Sequence, residues 1–260
     1  MEKKVIYYKS LQEDHSNIDR KSIKIDENFK YINNNPLWKI ASFIVYRIFV
    51  YPSAYLYSKM KFGVKLVNKK AIKPYKKQCY YLYGNHTQVP GDGFFPNLIS
   101  YPKRNYVLVC SENVSLKGTK NLMMMIGAFP LPTTIGGSKN FIKSLDKRCK
   151  QNAAITIYPE AHIWPYYTSI RPFSSDSFRY PIKYKAPTFS FTVTYKKRKH
   201  RKTPKIYIYI DGPFYPNENL DIKEQKEELK NIVYQTMLNR SKESNYEYIK
   251  YVKDEELWLM

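Results

Sequence analysis

The sequence predicts an α/β fold: a mixed, largely parallel sheet flanked by helices, with an N-terminal membrane-interfacial helical hairpin. Three observations predict it. From Lys65 onward, short apolar runs of strand length alternate with segments of helical period. Residues 153–158 (AAITIY) read as a strong buried strand. Ahead of these, residues 37–57 (LWKIASFIVYRIFVYPSAYLY) form an apolar, aromatic stretch. The length of 260 residues suits one large α/β domain or two small ones and is enough to bury a sizeable core. The expected division is a polar lead-in at 1–35, a membrane-associating segment at 36–64 and the α/β domain at 65–260.

The lead-in is polar and mixed in charge, so no cleavable secretory signal is expected. Within 37–57, Lys39 and Arg47 interrupt the apolar run and Pro52 is expected to kink or end a helix. An Arg at a bilayer centre costs about 2.5–3.5 kcal/mol even on lenient scales. The segment is therefore expected to be a helical hairpin or a kinked helix lying in one leaflet. Trp38, Tyr46, Tyr51, Tyr55 and Tyr57 are then expected at headgroup depth, and Lys39, Arg47, Lys59 and Lys61 on lipid phosphates. The alternative is a core helix covering the sheet. Beyond it, QCYYLY at 78–83 and NYVLVC at 105–110 read as strands, and residues 138–150 as a helix with Phe141, Ile142 and Leu145 on one face. Residues 187–195 and 204–210 read as strands joined by a basic loop. Asp221 with Glu224 makes a capping box for a final helix with a stripe of Leu229, Ile232, Val233 and Thr236.

Composition narrows the function classes. Apolar residues at 43% and charged residues at 25% exclude a wholly disordered chain. The net charge of +22 favours a polyanionic partner: an anionic membrane, a phosphorylated substrate or nucleic acid. The 26 Tyr suit a membrane interface and equally suit base stacking. Cys79, Cys110 and Cys149 have no CxxC spacing, so no metal site is expected, and the thiols are expected to be buried in a reducing compartment.

The chemistry concentrates at two strand ends. His86 stands in Gly84-Asn85-His86-Thr87-Gln88-Val89-Pro90-Gly91-Asp92, where a buried strand ends. Ligands of α/β sheets gather beyond such carboxyl ends. An Asp can hold one ring nitrogen of a His and leave the other to take a proton, or the loop's polar side chains can simply cap backbone groups. Residues 158–162 (YPEAH) follow the strand at 153–158, placing Glu160 at the same edge, and Arg171 follows. A carboxylate and an Arg near such a His suit a polar acceptor; the alternative is a structural ion pair.

In this order the segments resemble the glycerolipid acyltransferase family, whose best-known members acylate lysophosphatidic acid. The resemblance runs from about Lys65 to Asp211. Asn85, His86 and Asp92 match the first motif, residues 127–132 (GAFPLP) the apolar part of the second, 158–161 (YPEA) the third and 186–189 (APTF) the fourth. His86 and Asp92 have one more intervening residue than the family's usual spacing, with Pro90-Gly91 able to turn it out. The second-motif Arg is missing, with Thr133 or Thr134 near its place, and Ala161-His162-Ile163 replaces Gly-Thr-Arg in the third.

The resemblance implies a membrane-associated O-acyltransferase of phospholipid biosynthesis, acting on a lysophospholipid such as 1-acylglycerol-3-phosphate. His86 would be the general base and Asp92 its orienting partner. Asn85, Thr87, Glu160, Arg171 and Lys139 (or Lys143) would bind substrate, and backbone N–H groups near Gly127 or the third motif would stabilise the oxyanion. No cofactor is implied; acyl-CoA or acyl carrier protein would be the thioester co-substrate. The expected partners are an anionic membrane surface, the lysophospholipid and the acyl donor, with no nucleic acid, at the cytoplasmic face as a monotopic or peripheral protein. No Gly-x-Ser-x-Gly elbow is present, against a serine esterase. Two rivals are a basic nucleic-acid-binding protein and a non-catalytic lipid-binding relative.

Overall fold

A computed structural model describes residues 4–15, 22–115 and 118–254; parts of the expected lead-in (1–3, 16–21) and the end of the domain (255–260) lie outside the described residues. Nine strands are present among them: β1 Lys4–Tyr8, β2 Lys65–Val67, β3 Tyr80–Gly84, β4 Asn105–Val109, β5 Ala128–Pro130, β6 Ala154–Ile157, β7 Thr188–Lys196, β8 Lys205–Phe214 and β9 Ile249–Lys253. Seven of them form one sheet in the order β2-β8-β7-β3-β6-β4-β5. β7, β3, β6, β4 and β5 run parallel, while β8 is antiparallel to β7 and carries β2 beside it in parallel. The sheet is thus mixed and largely parallel, as the alternation of apolar runs predicts.

Helices cover both faces. α1 is Pro36–Phe62, α2 Gly91–Ser100, α3 Lys120–Met125, α4 Ile135–Lys150, α5 Arg179–Lys183 and α6 Ile222–Ser241. The capping box forms as read: Asp221 accepts from the Glu224 N–H and Glu224 from the Asp221 N–H. The buried stripe of α6 is Leu229, Val233 and Met237, rather than one including Ile232 and Thr236, which lie away from the core. On one side of the sheet, Leu229 and Val233 join Tyr81, Tyr83 and Ile155; on the other, Leu82, Phe95, Phe191 and Ile208 cluster.

The polar lead-in is a correction. β1 pairs in parallel with β9, from the opposite end of the described chain, and Ile25, Phe29 and Tyr31 are buried in the main core. Tyr31 donates its hydroxyl to the Pro130 carbonyl at 3.0 Å. This stretch is tied to the folded domain through Ile25, Phe29 and Tyr31, while Val5 and Tyr7 of β1 stay exposed.

α1 is a second correction: one continuous helix, neither a hairpin nor broken at Pro52. Residues Val45–Val50 and Ser58–Phe62 adopt wide π-helical turns, and the Tyr51 N–H reaches back five residues to the Tyr46 carbonyl. A π turn shifts the hydrogen-bond register, so Pro52 follows it without a broken ladder. The wide turns also set which side is buried. Ser42, Tyr46, Ala54, Ser58 and Phe62 are covered, at intervals of four or eight residues. An ordinary α-helix with about 3.6 residues per turn would rotate such a stripe by about 40° every four residues; the π turns take that rotation back. α1 runs antiparallel to α2, with the Tyr46 hydroxyl donating to Asn97 Oδ1 at 2.7 Å and Tyr57 edge-on to Phe94 at 6.4 Å. Tyr46 and Arg47 therefore face the domain rather than headgroups; Arg47 bonds the Pro102 carbonyl. The opposite side exposes Leu37, Ile40, Phe43, Ile48, Phe49, Leu56 and Met60.

The basic loop has a fixed place, and one further expectation changes. The basic β7–β8 loop is docked on the end of α1, where Arg201 Nη1 donates to the Met60 carbonyl at 2.7 Å. A cation there complements the helix carbonyls. Among the cysteines, Cys149 is buried and Cys79 half-buried, with sulfurs 2.7 Å apart, whereas Cys110 is exposed.

Candidate active site

The parallel register of β3 and β6 builds the site. Tyr83 stands opposite Ile157, so the next residues of both strands, Gly84–His86 and Tyr158–Glu160, leave the sheet side by side at its carboxyl edge. Gly84 must be glycine: a Cβ would fall 2.1 Å from the Phe191 ring, which covers the strand end.

His86 and Asp92 meet. Nδ1 of His86 lies 2.7 Å from Asp92 Oδ2, and the same oxygen accepts the Gln88 N–H at 2.9 Å. The residues between them form a turn closed by the Asp92 N–H on the Gln88 carbonyl at 2.7 Å. Gly91 is required here for space, not for backbone angle, because a Cβ would meet Phe95 at 2.5 Å and Gln88 at 2.6 Å. Asp92 sits in the first turn of α2, where a negative charge is favoured by the helix dipole. Its side chain is 6% exposed and that of His86 24%. Burial pushes the Asp92 carboxyl up, while the bond to His86 pulls it down. With Nδ1 held by a carboxylate, the imidazole carries its proton there and presents Nε2 as the proton acceptor.

The sequence reading did not single out the ring that sets the plane of His86. Tyr158 stacks on the imidazole at 4.6 Å and 22°, and donates its hydroxyl to the Asp92 carbonyl at 2.7 Å. It thus touches both members of the dyad. Its signal was present: it fills the aromatic position of the third motif. Phe191 meets Tyr158 edge-on at 5.8 Å and completes the aromatic wall.

Four of the five expected substrate-binding residues are instead buried behind the dyad. Asn85 pairs its amide with both backbone groups of Val193, accepting from the N–H at 2.8 Å and donating to the carbonyl at 3.1 Å, so it extends the β3–β7 pairing beyond the strand end. Thr87 shares a 2.8 Å hydrogen bond with the buried Tyr195 hydroxyl. Glu160 and Arg171, 4% and 1% exposed, form an ion pair at 3.2 Å. Glu160 also accepts the N–H of His86 at 3.1 Å and of Arg171 at 2.9 Å. Burial pushes its carboxyl up against the pull of Arg171 and those two N–H groups. Both oxygens are occupied by the protein, so the pair holds the His86 backbone instead of facing an acceptor. Lys139 is exposed on α4, which follows β5, three strands from β3 or about 14 Å at the usual strand spacing.

The expected oxyanion donors are engaged as well. The Gly127 N–H bonds the Met124 carbonyl at 3.3 Å, the Ala161 N–H that of Tyr158 at 3.2 Å and the His162 N–H that of Glu160 at 2.8 Å. Ala161 has φ of 64°, a left-handed conformation that glycine adopts freely. This is the position where the resembled third motif carries glycine.

The two chain segments around this loop are pinned to it. Trp164 bonds the His86 carbonyl through its N–H at 3.0 Å, donates its indole N–H to Glu13 at 2.8 Å and stacks on Tyr251 of β9 at 4.8 Å.

No family model matches the chain, and no curated protein matches it. Among solved structures it is similar to the 1-acyl-sn-glycerophosphate (LPA) acyltransferase PlsC from Thermotoga maritima. The two are 14% identical, with a TM-score of 0.49 over 82% of this chain and 97% of that one.

Proposed function

We propose that this protein is a membrane-associated O-acyltransferase that moves a fatty acyl group from a thioester donor to a hydroxyl of a lysophospholipid-type acceptor. The observation that carries the reading is the His86–Asp92 pair at 2.7 Å, at the carboxyl edge of a largely parallel sheet, with Nε2 left for a substrate. The order of the four motif-like segments, each falling in the sequence where the resembled family has it, supports the chemistry class.

In this reading, an acceptor hydroxyl gives its proton to His86 Nε2 as its oxygen attacks the thioester carbonyl. Asp92 stabilises the imidazolium that forms, and Tyr158 holds the ring plane. The C–S bond then breaks, the ester is released, and the thiolate of the donor takes the proton back from Nε2. Atoms and charge balance without a covalent enzyme intermediate, a metal or a cofactor. Glu160 and Arg171 act through the His86 backbone. Acyl-CoA or acyl carrier protein would be the donor and 1-acylglycerol-3-phosphate the acceptor.

α1 supports membrane association. It is long and apolar enough to cross a bilayer by length and composition, yet its buried stripe engages the domain from Ser42 to Phe62. A helix committed along that length is suited to lie in the interface, with Phe43, Ile48, Phe49 and Leu56 in the acyl region. The protein would then act as a monotopic enzyme on the cytoplasmic face. α1 also passes Phe94, two residues from Asp92, so the lipid surface would lie beside the dyad.

The test is free-thiol release from acyl-CoA with lysophosphatidic acid on anionic liposomes, beside His86→Ala. Release abolished in a variant that still folds supports the assignment. A variant retaining most of the activity refutes it, and vesicle binding with no turnover on any acceptor favours a lipid-binding protein.

A further inference from the structure

A second concave site lies at the opposite edge of the sheet. A cavity of about 250 Å³ is lined by Lys69, Lys70, Lys73, Lys76 and Lys103 over a floor that includes the buried Ile72 and Ile99. Among the described residues, no carboxylate lines it. Five lysines line one cavity over an apolar floor, and Lys76 acts on Lys69 as a like charge, a repulsion that a bound anion relieves.

Two of the lysines are fixed. Lys69 Nζ donates to the Leu98 carbonyl at 2.7 Å, and Lys103 Nζ to the Tyr75 carbonyl at 3.0 Å, with its ammonium 4.4 Å from the centre of the Tyr80 ring. Desolvation pushes the Lys103 amine down to about 8 and lowers Lys69 as well, as expected of cations held without an anion. Lys70, Lys73 and Lys76 are exposed on the turn of helix at Lys69–Lys77, free to close on a ligand.

The cavity is not part of the His86 centre. Tyr80, which opens β3, lines it, whereas His86 lies beyond the other end of that strand, roughly 20 Å away at about 3.3 Å per residue. It is continuous with α1. Tyr101 forms one wall and stacks on Tyr51 at 4.1 Å, with the Arg47 guanidinium 5.2 Å from the same ring. A helix lying in the interface sinks its apolar face about 5–10 Å below the headgroups, which brings its flank to the depth of the lipid phosphates.

We infer that this lysine cavity docks the phosphate of an anionic phospholipid headgroup as a second, non-reacting lipid that seats the protein on its membrane. The inference rests on α1 lying in the interface, but not on the acyl-transfer reading.

The experiment is vesicle co-sedimentation of the full chain on phosphatidylcholine alone and on phosphatidylcholine with phosphatidic acid. It compares Lys70→Gln/Lys73→Gln/Lys76→Gln with Lys197→Gln/Lys199→Gln/Lys202→Gln, which removes the same charge from the β7–β8 loop. Binding to phosphatidylcholine alone should be retained by both variants. The added affinity for phosphatidic acid vesicles should fall at least tenfold in the cavity variant and less than threefold in the loop variant. Equal losses would overturn the cavity as a site, whereas wild-type protein that ignores phosphatidylcholine would instead strike at α1. Amine-reactive labelling of Lys103 separates the sources of phosphate. Protection by phosphatidic acid vesicles and not by sn-glycerol 3-phosphate at equal phosphate is expected. Equal protection by the soluble phosphate, or protection by neither, overturns a membrane headgroup as the occupant.

Discussion

Glu160→Gln asks whether a buried ion pair holds the His86 backbone. Glu160 accepts three hydrogen bonds: from the His86 N–H at 3.1 Å, the Arg171 N–H at 2.9 Å and Arg171 Nη2 at 3.2 Å. Glutamine fills the same volume but keeps one oxygen, and its amide turns a donor toward other donors. Its oxygen can stand where Oε2 accepts from the His86 N–H and Arg171 Nη2, so one bond, from the Arg171 N–H, is lost at about 1.5–3 kcal/mol. The 1%-exposed Arg171 side chain also stays charged without its carboxylate. Breaking a buried pair from one side costs about 3–5 kcal/mol in all, the lost bond included. For a chain of this size that lowers the melting temperature by about 6–20 °C. The double variant Glu160→Gln/Arg171→Met should recover part of the loss, because it removes the stranded charge. Differential scanning calorimetry on wild type, both single variants and the double gives the coupling directly. If Glu160→Gln melts within a degree or two of wild type, the pair is not a brace and His86 is held by something else.

Three other outcomes are expected. Asp92→Asn should lower turnover about 10⁴-fold by releasing the tautomer of His86. Because burial holds the folded Asp92 pKa above its unfolded value, its contribution to stability is full at low pH and is lost as pH rises through the folded pKa; Asn should therefore match or exceed wild-type stability at pH 7–8 and lose that advantage near pH 3, as chemical denaturation across pH will show. Ala161→Gly should raise stability by about 0.5–1 kcal/mol, since a left-handed L-residue costs about 1–2 kcal/mol and the freer unfolded glycine returns part of it; a lower melting temperature would contradict the turn described at φ of 64°. Phe43→Ser/Phe49→Ser, at residues 58% and 62% exposed, should weaken vesicle binding by at least tenfold and leave the melting temperature within about 2 °C; unfolding instead would make α1 a core helix.

What could be read in advance was local. β3, β6, β7 and β8 announce themselves by apolar runs between turns, and α6 by a capping box that needs only four consecutive residues. The His86–Asp92 contact lies within one turn and was legible for the same reason. The pairing of β1 with β9 was not, because its partners lie more than two hundred residues apart and neither strand is buried enough to carry a pattern. Glu160 and Arg171 were found but given the wrong orientation. Sequence shows that opposite charges share an edge, whereas only coordinates show which way they face. Pro52 misled because its usual meaning assumes α-helical hydrogen bonding, and here a π turn precedes it.

The two π turns of α1 make its length as informative as its composition. Each wide turn takes up about one extra residue, whereas deleting one of residues 51–53, where the winding is already α-helical, would rotate everything beyond by about 100°. Ala54 and Ser58 would leave the domain, and bulky neighbours such as Tyr55 and Lys59 would arrive where small side chains now fit. Point substitutions on the outer surface should be absorbed freely, while an insertion or deletion outside the wide turns shifts two surfaces together. This segment therefore behaves as a gauge of fixed residue count between the domain and whatever its apolar side touches. Comparable chains can vary its outward chemistry widely and its number of residues hardly at all.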